Sequence, residues 1–203
     1  MLKQSYSSNI KSFPFLFLEM KRTALLLCEG KSRDEILTLS IENNIYQLEK
    51  EKRRRELPSK MLARLKVLNQ SLIEVIAKGH DSEAKLVTFF AMMKSDRLLY
   101  EYMLDVYKGK SDNDEITDLE FMQFADRLSA NSETVAKWKT ETLIELNTRI
   151  KRVLCDAGLA KRSKTRLIVQ KPVVDEDLCS LLDEDDWLYA KAILREDARY
   201  GIK

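Results

Sequence analysis

The 203-residue sequence predicts a mainly α protein, a multi-helix, bundle-like chain with one short β element, and three observations carry that reading. Only five Gly and three Pro occur, too few to punctuate the many short turns of a sandwich or barrel. Leu, Lys, Glu, Arg, Met and Ala, the strong helix formers, are abundant. Apolar residues recur at helical spacing along most of the length, and 44% hydrophobic content is enough for a sizeable core.

The first helix is expected from about Phe15 to Cys28, leading to Gly30. Ser32-Arg33-Asp34-Glu35 then forms a capping box, in which serine and glutamate satisfy each other's backbone donors, and a second helix should run to about Asn43. Helix, glycine turn and capped helix is the skeleton of a helix-turn-helix, one that plain helical hairpins share. Tyr46 to Leu57 reads as a highly charged helix, and Pro58, which disfavours a helical residue before it, places a break near Leu57. Met61, Leu65, Leu68, Leu72, Val75 and Ile76 converge on one face of the next helix, flanked by Lys60 and Arg64. Gly79 closes it and Asp81 can cap its successor, so a boundary is expected there, between an N-terminal helical part (1–79, helix-turn-helix-like) and a C-terminal one (80–203).

Beyond it, Leu86, Phe89, Phe90 and Met93, then Leu99, Tyr102, Met103 and Val106, mark two core helices split near Ser95-Asp96. Lys108 to Asp114 is a polar loop, and Thr117 to Glu120 offers a second capping box ahead of a helix carrying Phe121, Phe124 and Leu128. A long helix is expected from about Glu133 to Ala157, stopped by Gly158, with Val135, Leu143, Leu146, Ile150, Val153 and Leu154 on its apolar face. Thr165 to Gln170 is the single strand signal, preceded by the basic loop Lys161-Arg162-Ser163-Lys164 and ended by Pro172. A long helix followed by a basic β element is winged-helix-like, near residues 132–172. Asp175 to Leu182 and Asp186 to Leu194 read as two short helices.

Charge is the strongest functional signal. The net charge is only +2, yet Lys50 to Lys66 holds eight Lys/Arg against two Glu, and Arg149 to Lys171 holds eight against one Asp. Such segregation suits a polyanion, because Lys/Arg that neutralise phosphates release counterions without needing a sequence motif. Candidate DNA-contacting residues are Lys161, Arg162, Lys164 and Arg166, which a loop can aim at phosphates without acidic neighbours, then Lys151 and Arg152. Lys52, Arg53, Arg54 and Arg55, with Lys60 and Arg64, form the second set. Four consecutive residues spread around a helix, however, and Glu49, Glu51 and Glu56 can pair with them locally, so a solvated helix explains that cluster equally well. Glu141 and Glu145 would repel phosphate from the long helix, so weakly sequence-specific binding is expected.

Catalytic signatures are scarce. One histidine, His80, no Cys-x-x-Cys, no Gly-rich phosphate cradle and no Gly-x-Ser-x-Gly elbow argue against zinc, nucleotide-hydrolysis and serine-hydrolase chemistry. Asp81 with Glu83 and Lys85 could be read as a metal-dependent nuclease's acids and lysine, but helix-start acids also simply favour the macrodipole. No enzyme activity and no cofactor are therefore expected. Cys28, Cys155 and Cys179 are far apart and odd in number, poor material for disulfides. Phe13 to Leu18 and Ala24 to Cys28, split by Glu19, Lys21 and Arg22, fall well short of the roughly 20 apolar residues of a membrane span. A soluble cytoplasmic protein with no membrane partner is expected.

Taken together, the signatures resemble the BrxA family, a small component of BREX phage-defence systems. The resemblance covers about residues 13 to 194 and rests on Phe15-Leu16 with Glu19, Gly30-Lys31-Ser32 with Glu35-Ile36, and Glu42-Asn43-Asn44 with Gln47. Further along it rests on Arg64-Leu65 with Leu68, Asp96-Arg97-Leu98 with Glu101, Trp138 with Thr142, and Ala157-Gly158-Leu159 ahead of Pro172. It implies a non-enzymatic, mainly helical protein, likened in fold to the NusB antitermination factor, that binds double-stranded DNA. It also implies service in a system that methylates host DNA and blocks phage replication, with DNA methyltransferase, phosphatase-like and ATPase components as partners. No catalytic residues carry over. The alternative is a protein-interaction adaptor, whose acidic stretch from Asp175 to Asp186 docks a basic partner while DNA contact is incidental.

Overall fold

A computed structural model describes residues 4–194 of the chain. The fold is mainly helical with one small antiparallel sheet, and the chain divides into two compact units. One unit is Leu16–Ser95; the other joins the preceding segment to everything from Asp96 onward.

In the first of these units, α2 (Phe17–Cys28) ends in Gly30 at φ +81°, with Gly30 N–H donating to Leu27 O and Lys31 N–H to Leu26 O. That paired bond pattern is a Schellman stop, and the left-handed φ is what glycine supplies. The Ser32–Glu35 capping box then starts α3 (Arg33–Glu42), as the sequence predicts. Helix, turn and helix are present, but α2 packs chiefly on α5 (Gln70–Lys78) and α3 on α4 (Glu51–Leu65). The exposed first turn of α3 carries Asp34 and Glu35, so the second helix opens with the charge that a DNA groove repels.

The expected break at Pro58 is not found, since α4 runs straight through that residue. Proline has no N–H to give the carbonyl four residues back. Here that carbonyl, Arg54 O, accepts instead from the Ser40 hydroxyl at 2.6 Å, from a fully buried serine on α3. The chain breaks later, and Asn69 caps α5 by accepting from Leu72 N–H at 3.0 Å. Tyr46 lies in a loop rather than a helix, its hydroxyl 2.7 Å from that of buried Thr23. Gly79 closes α5, where a Cβ would lie 2.6 Å from Val75 O. It does not divide the compact units, because α5 and α6 (Asp81–Ser95), on either side of it, pack on each other through the apolar faces that the sequence displays.

In the other unit, α1 (Asn9–Ser12) packs on α10 (Thr140–Asp156), with Lys11 Nζ 2.8 Å from Glu145. Asp96 caps α7 (Arg97–Tyr102), which passes into a π-helical turn, Met103–Tyr107. Strand β1 (Glu115–Ile116) precedes α8 (Asp118–Asn131), started by the expected Thr117–Glu120 capping box. The expected single helix from 133 to 157 is two: α9 (Glu133–Ala136), then α10. No residue from 136 to 145 is buried, so no apolar stripe holds one helix across the gap. Gly158 at φ +78° ends α10 in another Schellman stop, with Leu159 N–H on Leu154 O at 2.8 Å.

Strands β2 (Ala160–Ser163) and β3 (Arg166–Val169) follow, and the sheet order is β1-β3-β2, antiparallel throughout. The single β element expected is thus one strand of three, and the basic loop expected before it is itself mostly strand. Asp175 caps α11 (Glu176–Ser180) and Asp183 caps α12 (Glu184–Ala190).

Candidate nucleic-acid interface

The β2–β3 hairpin holds the four leading candidates. Residues directly opposite in an antiparallel pair share a face, and successive residues alternate. Lys161 pairs with Ile168 and Ser163 with Arg166, while Ala160 pairs with Val169 and Arg162 with Leu167. Leu167 and Val169 are buried, so Lys161, Ser163 and Arg166 stand on the outer face. Lys164, at φ +56°, occupies the tight two-residue turn and is exposed. Arg162 points to the other side and lies beside Cys155 near the end of α10; burial pushes that thiol up, and the guanidinium pulls it back. Only Arg166 of the four has an ion-pair partner among the described residues, Glu115 at 3.5 Å, both ends well exposed. At such exposure the pair contributes little and is readily exchanged for a phosphate.

Several other bases in this segment serve the fold. Lys151 Nζ donates to Asp118 Oδ1 at 2.6 Å and is mostly buried. That contact, with Asn147 on the same oxygen, holds the Asp118 carboxyl below its usual range. Arg152 is exposed and 3.7 Å from Asp156. Lys171, which adds to the basic count, is buried: its ammonium donates to Tyr107 O at 3.2 Å and Lys108 O at 3.1 Å, over the Tyr107 ring. It thereby covers open carbonyls at the end of the π-helical turn.

The Lys52–Arg55 cluster behaves as a solvated helix would. Arg55 pairs with Glu51 at 2.5 Å and Lys52 with Glu56 at 3.8 Å, and Arg54 Nε donates to Leu48 O at 2.7 Å, pinning the loop before α4. Arg53 is half-buried, Lys60 exposed, and Arg64 buried at 9% exposure, because the apolar stripe of α4 turns that position inward. Arg54 and Arg64 are thus structural residues rather than open phosphate contacts. This segment lies wholly in the Leu16–Ser95 unit, and Arg149 to Lys171 wholly in the other.

The remaining candidates are occupied too. Asp81, in the first turn of α6, pairs with Lys21 at 2.8 Å, and that hydrogen bond lowers its pKa; Lys85 lies over the Phe17 ring. Of the acids between Asp175 and Asp186, Asp175 and Asp183 serve as helix caps and Asp186 is fully buried. No helix among the described residues is long and apolar enough to cross a membrane.

Fold and surface define a mainly helical protein of two compact units that displays a cationic β-hairpin after a long helix. Comparison with known proteins is specific: the BrxA family model matches residues 4–186, and the chain belongs to the BrxA family. A BREX protein BrxA from Bacillus cereus (strain H3081.97) is 37% identical over 178 residues, 87% of this chain and 89% of that protein. An uncharacterized protein from Magnetospirillum magneticum, known from its crystal structure, shares the fold at a TM-score of 0.77 and 22% identity, over 94% of this chain and 98% of that one.

Proposed function

We propose that this chain is a non-enzymatic component of a BREX phage-defence system that acts beside the other BREX proteins and binds double-stranded DNA with little sequence preference. Membership of the BrxA family supports the system. The observation that supports DNA binding is the hairpin, which projects Lys161, Lys164 and Arg166 from one face and tip, with exposed Arg162 beside them. Helix, β1, α8, the one-turn α9, α10 and then a hairpin whose second strand, β3, pairs with β1 is the element order of a winged helix with one short helix added. In this reading the hairpin grips phosphates, and exposed Glu141 in the first turn of α10 keeps that helix from reading bases.

Fluorescence anisotropy with unrelated duplexes across a salt series tests it. Neutralising Z phosphates gives a slope of about −0.9Z in log affinity against log salt, so Lys161, Arg162, Lys164 and Arg166 all changed to Ala should flatten the slope by roughly 3 to 4. An unchanged slope, or no binding at low salt, overturns the assignment. Incubation with magnesium or manganese should leave the DNA intact.

A further inference from the structure

On the Leu16–Ser95 unit, α2, α3, α4 and α5 leave an open cavity of about 480 Å³. Its size is within the ~300–1,000 Å³ typical of binding clefts. Leu27, Leu62, Leu68 and Ile73 form its apolar wall, and Arg33 and Lys66 line it with no carboxylate alongside. Both cations are exposed, and their side chains have no ion-pair partner among the described residues. An apolar cleft carrying two unneutralised cations selects an apolar anchor flanked by acids.

The other unit of the same chain presents such an anchor. Leu188 on α12 is 59% exposed, one of the chain's large exposed apolar side chains. Glu184 and Asp185, four and three residues before it and therefore on the same helix face, are exposed and pair with no cation among the described residues. Both acids are free because capping is done by Asp183 and Asp186.

We propose that the cleft receives α12 of a second copy of the chain, Leu188 entering between Leu62 and Ile73 while Glu184 and Asp185 meet Arg33 and Lys66. A seven-residue helix covers less than the ~1,600 Å² of a standard interface, so the association is weak, concentration-dependent and salt-sensitive. It does not depend on the DNA-binding reading, and it is measured on nucleic-acid-free protein so that either can fail alone.

The test is sedimentation velocity from micromolar to near-millimolar protein at low salt. The wild-type chain should self-associate. Leu188→Asp, Glu184→Lys with Asp185→Lys, and Arg33→Glu with Lys66→Glu should each weaken association about tenfold or more, and all five positions are exposed, so folding is kept. Mixing the two charge-reversed variants, or combining their four changes in one chain, should restore it. A wild-type chain that stays monomeric throughout overturns the proposal. So does association that the substitutions leave untouched, or reversals that fail to rescue one another.

Discussion

Pro58 inside α4 turns the Ser40 hydroxyl into a structural requirement, and Ser40→Ala isolates it. In an uninterrupted helix Arg54 O would accept from the amide at position 58; proline removes that donor, and Ser40 Oγ replaces it at 2.6 Å. Ser40 has no exposed surface, so water cannot take over once the hydroxyl is gone. Orphaning a buried acceptor costs about 1–3 kcal/mol. For a unit of the size of Leu16–Ser95 each kcal/mol moves Tm by about 4–8 °C, so a fall of roughly 4 °C or more is expected. Urea unfolding followed by far-UV circular dichroism should show a lower midpoint at unchanged slope. The decisive comparison adds Pro58→Ala, which returns an amide N–H to the helix: in that background the Ser40→Ala penalty should shrink by about 1 kcal/mol, within the range of coupled neighbours. If Ser40→Ala costs the same with proline or alanine at position 58, the carbonyl is not what the serine serves, and the reasoning fails.

Lys171→Met keeps a long unbranched side chain but removes the ammonium over Tyr107 and its donors to two carbonyls, and should destabilise by about 1–3 kcal/mol in chemical denaturation. Lys151→Ala should leave DNA affinity within about twofold, because its ammonium is held by Asp118. In the same variant the Asp118 carboxyl, followed by NMR titration, should move back up towards its ordinary pKa. Because the folded-state pKa of Asp118 is depressed, its contribution is present above the unfolded value and lost as pH falls through the folded one, and Lys151→Ala should reduce that acid-side loss. At the alkaline end, Tyr6 is pushed up to about 12, first by burial and then by its 2.6 Å hydrogen bond to Glu101. Its folded pKa exceeds its unfolded one, so its contribution is complete below about pH 10 and declines as pH rises towards 12. Tyr6→Phe should remove one late-titrating phenol from the absorbance curve at alkaline pH. Gly158→Ala, at φ +78°, should cost about 1–2 kcal/mol in the same denaturation assay.

By itself the sequence determined what neighbours along the chain decide. Ser32–Glu35 and Thr117–Glu120 close as capping boxes, Gly30 and Gly158 end helices in left-handed turns, and Phe89, Leu99, Phe121 and Leu146 are buried where helical spacing puts them. Each depends on contacts within about one helical turn, or on an apolar period that composition alone displays. The local pairing of Glu51 with Arg55 and Glu56 with Lys52 was legible for the same reason. Tertiary structure decided the rest. Ser40 lets α4 pass through Pro58, Asp118 draws Lys151 out of the basic face from 33 residues away, and Lys171 turns inward to carbonyls more than 60 residues earlier. β1, only Glu115–Ile116 in length, becomes a strand because β3 lies beside it. Such partners are set by how the chain closes on itself, and a count of charges cannot distinguish a lysine facing solvent from one already donating to a buried carbonyl. What remains open after those assignments is the hairpin from Lys161 to Arg166, whose alternation and tight turn keep Lys161, Lys164 and Arg166 outward.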